Sequence, residues 1–116
     1  MAALSQVMHC LVSDAAKNDL AIQSAWYAHH ADEDVAERYL TSFRHTLEVL
    51  SAQPDLGHPR RFRNPRLSGL RSMVMHGAFR VHLIFYRVEN EALVVFRVMH
   101  GMRDLRRRLL QPPGES

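Results

Sequence analysis

Several things are scarce in this chain of 116 residues. There is one cysteine, Cys10, so no internal disulfide forms, and a thiolate metal site has too few ligands. Cys10 reads as a small buried hydrophobe. No apolar run approaches the roughly 20 residues needed to cross a bilayer. The N-terminal "MAALSQVMHCLV" lacks a basic segment followed by a long apolar one, so no secretory signal is expected. A cytoplasmic protein is the simplest reading. Lysine is almost absent: Lys17 stands alone against fourteen arginines. There is no internal repeat and no low-complexity stretch. The length suits one compact domain over 1–116, with an ordered core at about 5–110 and a short tail, "QPPGES".

What is present is unevenly placed. Residues 1–59 carry three Lys/Arg against eight Asp/Glu, a balance of −5. Residues 60–116 carry twelve Arg against four Asp/Glu, a balance of +8. Such asymmetry predicts a basic face built by the C-terminal half, suited to nucleic acid, acidic protein segments or anionic surfaces. Arginine's planar fork favours bidentate contact with phosphate or carboxylate.

The apolar pattern gives the elements. Val7–Val12 reads as a strand, and Ser13 caps a helix from about Asp14 to His29, with Ala16, Leu20 and Tyr27 on one stripe. Asp32 caps a second helix whose Ala36, Tyr39, Leu40, Phe43, Leu47 and Leu50 recur at helical spacing, and Pro54 ends it. A strand is expected near Leu70–Met75. From Phe79 a period of two predicts another, with Phe79, Val81, Leu83 and Phe85 on the helices and Arg80, His82, Ile84 and Tyr86 opposite. Leu93–Met99 is its partner, and "RDLRRRLL" allows one more helical turn. The expected fold is α+β, in the order β-α-α-β-β-β. A helical hairpin packs on one face of a small, mostly antiparallel sheet, and the first strand lies beside the last.

The motifs "LGHPR" (Leu56–Arg60), "GLRS" (Gly69–Ser72), "HLIFYR" (His82–Arg87) and "RVMHGMRDL" (Arg97–Leu105), in this order, resemble the ParE toxins of the RelE/ParE superfamily, over about residues 5–110. The resemblance implies a type II toxin–antitoxin toxin with two N-terminal helices on a curved antiparallel sheet. It implies poisoning of DNA gyrase without catalysis, growth inhibition and plasmid stabilisation. RelE-like relatives are instead ribosome-dependent endoribonucleases of mRNA. A third reading is a non-toxic relic kept for antitoxin binding and autoregulation.

Cleavage of RNA by its 2′-hydroxyl needs a base, an acid and cations at the phosphate. The candidates are Arg71, Arg80, His82, Tyr86, Arg87 and His100. His82 also has the plainer reading of an ordinary strand hydrogen bond. No Tyr, His or Lys follows His100, where nucleases of the superfamily carry an aromatic or basic pair, so the ParE reading is preferred. Partner-binding candidates are Arg60, Arg61, Arg63, Arg71, Arg80, Arg87, Arg97, Arg103, Arg106, Arg107 and Arg108. The last three also read as a solvated run. Trp26 and Tyr27 read as core or helix–helix contacts, or as part of an apolar groove. His29 and His30 are adjacent, diverge on a helix and make poor joint ligands, so no metal and no cofactor is expected.

The expected partner is a cognate antitoxin, ParD-like or other, whose acidic, amphipathic C-terminal segment folds on the basic surface and a free sheet edge. Charge reversal at Arg80 or Arg97 is expected to weaken it. DNA gyrase is the implied target, operator DNA is reached only through the antitoxin, and no membrane is involved.

Overall fold

The computed structural model describes residues 7–101 and 104–114. Strand β1 (His9–Val12) leads directly into helix α1 (Asp14–His30), then α2 (Glu33–Ala52). Strands β2 (His58–Pro59), β3 (Arg71–Val74), β4 (His82–Glu89) and β5 (Ala92–His100) follow, and then the single turn α3 (Leu105–Arg108). The sheet order is β1-β5-β4-β3-β2. β1 runs parallel to β5, and the other pairings are antiparallel.

The helix caps form as their residue types dictate. The Ser13 hydroxyl accepts the Ala16 N–H at 3.0 Å, and the Asp32 carboxylate accepts the Val35 N–H at 3.0 Å. One residue, Ala31, separates Asp32 from the end of α1, so the two helices fold back as a hairpin. The α2 stripe is buried at Ala36, Tyr39, Phe43 and Leu50, and Leu40 and Leu47 pack beside it.

Two corrections concern β4 and β5. β4 begins at His82, because Gly77–Phe79 forms a 3-10 turn and Val81 is left exposed. The faces are also the reverse of the alternation expected. Ile84 and Tyr86 join Tyr39 and Phe43 in the core under the helices, whereas Leu83 and Phe85 belong to a second core with Leu67, Leu70, Met99 and Leu109. The face opposite the helices is therefore covered rather than left amphipathic. Its cover is the segment from residue 60 to 70 together with the C-terminal turn. In β5 a bulge changes the phase. Phe85 pairs with Arg97 but Tyr86 with Val95, so Phe96 is the extra residue. Leu93 and Val95 face the helices before the bulge, and Val98 faces them after it.

Past Val95, β1 no longer covers β5, and α1 closes the exposed edge with side chains. Ser13 donates its hydroxyl to the Phe96 carbonyl at 2.8 Å, and Asp19 accepts the Val98 N–H at 3.0 Å. Among the described residues, no helix is long and apolar enough to cross a membrane.

Candidate partner-binding surface

On the sheet face away from the hairpin, an open groove of about 960 Å³ runs between the 60–67 segment and α3. Arg61, Arg63, Arg106 and Arg107 line it, and Phe62, Leu67, Leu105 and Leu110 supply its apolar surface. Each wall has a local cause. Pro65 starts a 3-10 turn that Asn64 caps by accepting the Arg66 N–H at 2.9 Å, and Leu67 anchors this turn in the second core. Opposite, Leu105 and Leu110 pack on the same core and leave Arg106 and Arg107 exposed. Asp104 meets Arg107 at 3.4 Å, but both side chains are more than half exposed, so this pair is weak. Four arginines against one carboxylate make the groove electropositive.

The other arginines expected at a binding surface have different posts. Arg97 is only 4% exposed. Its guanidinium holds Asp19 through two contacts, at 2.7 and 2.8 Å, and also donates to the carbonyls of Arg108, Leu109 and Gln111. It fastens α1 and the C-terminal segment to β5, which corrects its expected place on the surface. Arg71 donates to the carbonyls of Asp55 and Gly57, and Arg87 to those of Arg66 and Ser68 while pairing with Glu89. Arg87 also lies over the Phe96 ring. Arg60 donates to the Ser72 hydroxyl at 2.8 Å. Arg80 is exposed but outside the groove, and Arg108 turns to the His100 carbonyl. Arg103 lies outside the described residues.

The six residues considered for nuclease chemistry do not gather at one point: His82 and His100 meet with ring centroids 5.0 Å apart, and Arg71 pairs with Tyr86 further along β4. Tyr86 is fully buried; its hydroxyl donates to the Pro54 carbonyl at 2.6 Å and accepts the Gly57 N–H at 2.9 Å. It lies four residues along β4 from His82, about 13 Å at strand rise. His82 is 1% exposed, bonded through Nε2 to the Tyr27 hydroxyl at 2.8 Å. Burial, helped by His100, pushes its pKa down to about 4, so it stays neutral near pH 7. Arg71 and Arg87 are committed to backbone carbonyls, while Arg80 and His100 are exposed. Trp26, expected in a core or groove, is half exposed and stacks on His30 at 4.3 Å. No group of three or more His, Cys, Asp and Glu among the described residues is arranged to hold a metal ion.

Sequence reasoning missed three elements of this architecture. Thr46 and His76 join α2 to the β3–β4 connection: the His76 N–H donates to the Thr46 hydroxyl at 3.1 Å, and the hydroxyl lies 3.2 Å from Nδ1. Gly57 is required by close approach, since a Cβ there would collide with the Tyr86 hydroxyl and ring. Phe62, on the apolar floor of the groove, is the third, and a lone aromatic among four arginines in "RRFRNPR" is its signal in the sequence.

A helical hairpin on one face of a five-strand sheet, with arginines grouped on the other, defines the class: a RelE/ParE-like fold. The family described as the ParE toxin of the type II toxin–antitoxin system, parDE, matches residues 11–105, and the chain belongs to it. A solved structure of the chromosomal ParDE toxin–antitoxin system from P. aeruginosa superposes with a TM-score of 0.67 at 16% identity, covering 84% of this chain and 100% of that one. At that identity the likeness speaks for the fold alone. No curated protein matches the chain significantly.

Proposed function

We propose that this chain is a toxin that inhibits DNA gyrase by protein–protein contact and is neutralised by a cognate antitoxin. The arginine groove carries the reading. Its exposed cations flank apolar side chains, the arrangement that suits an acidic, amphipathic partner segment. Membership of the ParE family supports the antitoxin and the gyrase target, and such a target places the protein in the cytoplasm. A single domain spanning the chain is part of the same reading. The scattering of the six catalytic candidates favours binding over RNA cleavage.

A supercoiling assay with purified gyrase, run beside a cell-free translation assay, tests the target. Inhibited supercoiling with intact translation is expected. Blocked translation with intact supercoiling overturns the reading in favour of a ribosome-dependent nuclease. Intact behaviour in both assays, with antitoxin binding retained, identifies a non-toxic relic.

A further inference from the structure

Two histidines stand where α2 meets the connection between β3 and β4, and the toxin reading leaves them unused. His45 lies on α2, and His76 immediately precedes the 3-10 turn Gly77–Phe79. Both are exposed, and their rings meet with centroids 4.5 Å apart and planes at 87°. They line an open hollow of about 400 Å³ that shares no residue with the arginine groove.

Counting protons fixes the state of the His76 ring. The Thr46 hydroxyl has one proton to give and two lone pairs. The proton goes to the Ser42 carbonyl at 2.7 Å, and one lone pair accepts the His76 N–H at 3.1 Å. A single lone pair is left for the ring nitrogen Nδ1 at 3.2 Å, so Nδ1 carries the ring proton. The neutral imidazole then keeps its free lone pair on Nε2, which has no hydrogen-bond partner among the described residues. The backbone is held as well, because the Ser42 hydroxyl donates to the His76 carbonyl at 2.8 Å. On the other ring, the Glu48 carboxylate stands 4.0 Å from Nδ1 of His45 and favours a proton there, which again leaves the lone pair on Nε2. An oxygen behind the protonated nitrogen is how metal-ligating histidines are oriented.

We propose that His45 and His76 bind a divalent ion of the later first-row series, nickel to zinc, through their Nε2 atoms. With ion–nitrogen distances of about 2.0–2.1 Å, two imidazoles on one ion hold their centres roughly 4.5–5.5 Å apart, and these two rings already stand within that span. His45 is exposed and turns to complete the approach. No third His, Cys, Asp or Glu among the described residues joins them, so water fills the remaining positions. Imidazole ligands suit nickel, copper and zinc, whereas magnesium demands oxygen. Glu37 and Arg38 both line the hollow, and their opposite charges are solvated. The ion would clip α2 to the connection that leads into β4 and stabilise the fold by mass action.

The test titrates the full chain with nickel chloride, and separately with zinc chloride, against magnesium chloride at matched ionic strength. Histidine ring resonances and thermal unfolding are followed. Saturable changes centred on His45 and His76, with a rise in Tm, are expected from nickel and zinc and not from magnesium. Thr46→Val removes the oxygen behind Nδ1 and should weaken binding by about tenfold. His45→Gln should weaken it at least as much, and His30→Gln should leave it unchanged. Before any metal is added, the ring nitrogen shifts of His76 should report a proton on Nδ1. A proton on Nε2 instead, absence of saturation, an equal response to magnesium, or wild-type affinity in His45→Gln overturns the proposal. His45→Gln alters an exposed side chain and decides the matter if Thr46→Val fails to fold.

Discussion

Removing the Asp19 carboxylate while leaving Arg97 in place is the sharpest test of how this fold is closed. The two side chains are 5% and 9% exposed, so water does little to screen the pair. Asp19→Ala strands a buried guanidinium, and such a loss costs about 3–5 kcal/mol. A protein of 116 residues has a total stability of about 6–17 kcal/mol. The variant is therefore expected to lose between a fifth and most of it. With an unfolding entropy near 0.24 kcal/mol/K for this length, Tm should fall by about 12–20 °C. The assay is urea and thermal denaturation followed by circular dichroism. The double variant Asp19→Leu, Arg97→Met removes both charges and should recover most of the loss, because apolar replacement of a buried pair is often close to neutral. If Asp19→Ala costs less than about 1 kcal/mol, Arg97 is not a structural fastening and its place at a binding surface is restored.

Other outcomes follow from other contacts. His82 is held neutral with a pKa of about 4 in the folded state, below the ordinary 6.5, so the unfolded chain binds the extra proton between those values. Stability should fall as pH drops from 6.5 toward 4, by about 3 kcal/mol from this group, and His82→Gln should flatten that part of the profile. Tyr86→Phe loses bonds to Pro54 and Gly57 and should cost about 1–3 kcal/mol in urea denaturation. Gly57→Ala should be more damaging, since its Cβ meets the Tyr86 ring, and a cost under 1 kcal/mol would refute the close approach. Charge reversal at Arg61 and Arg63 together should leave stability within about 0.5 kcal/mol while weakening antitoxin capture in a pull-down. Unchanged capture would remove the groove from the interface.

The helices were legible because their signals are local. Ser13 and Asp32 cap them, and the apolar stripe from Ala36 to Leu50 has a helical period that needs no knowledge of the partner. The strand pattern was legible only as existence. A run such as "HLIFYR" has apolar residues on both faces, so alternation could not say which face meets the helices. Both faces are buried, one by α2 and one by Leu67, Leu70 and Leu109. The bulge at Phe96 was invisible for a related reason: it is a property of the pairing between two strands, not of either strand. Charge clustering located the basic half correctly but could not rank its members. Arg97 differs from Arg106 by what stands across from it in space, and Asp19 is 78 residues away in sequence.

The side chains that close the edge of β5 have a consequence for how the protein comes into being. Ser13 and Asp19 bind partners 83 and 79 residues later. β1 pairs with residues 92–95. Contacts of such sequence separation form late, since the intervening loop must close before they contribute anything. At about 5–20 residues per second, a ribosome needs roughly 4–16 s after making the first strand before its partner exists. In the second half of that interval, once Ala52 has been made, the nascent chain has its helical hairpin but lacks the completed sheet that covers the hairpin's inner face. Assembly waits on β5, and Arg106 and Arg107, which line one wall of the groove, are made later still.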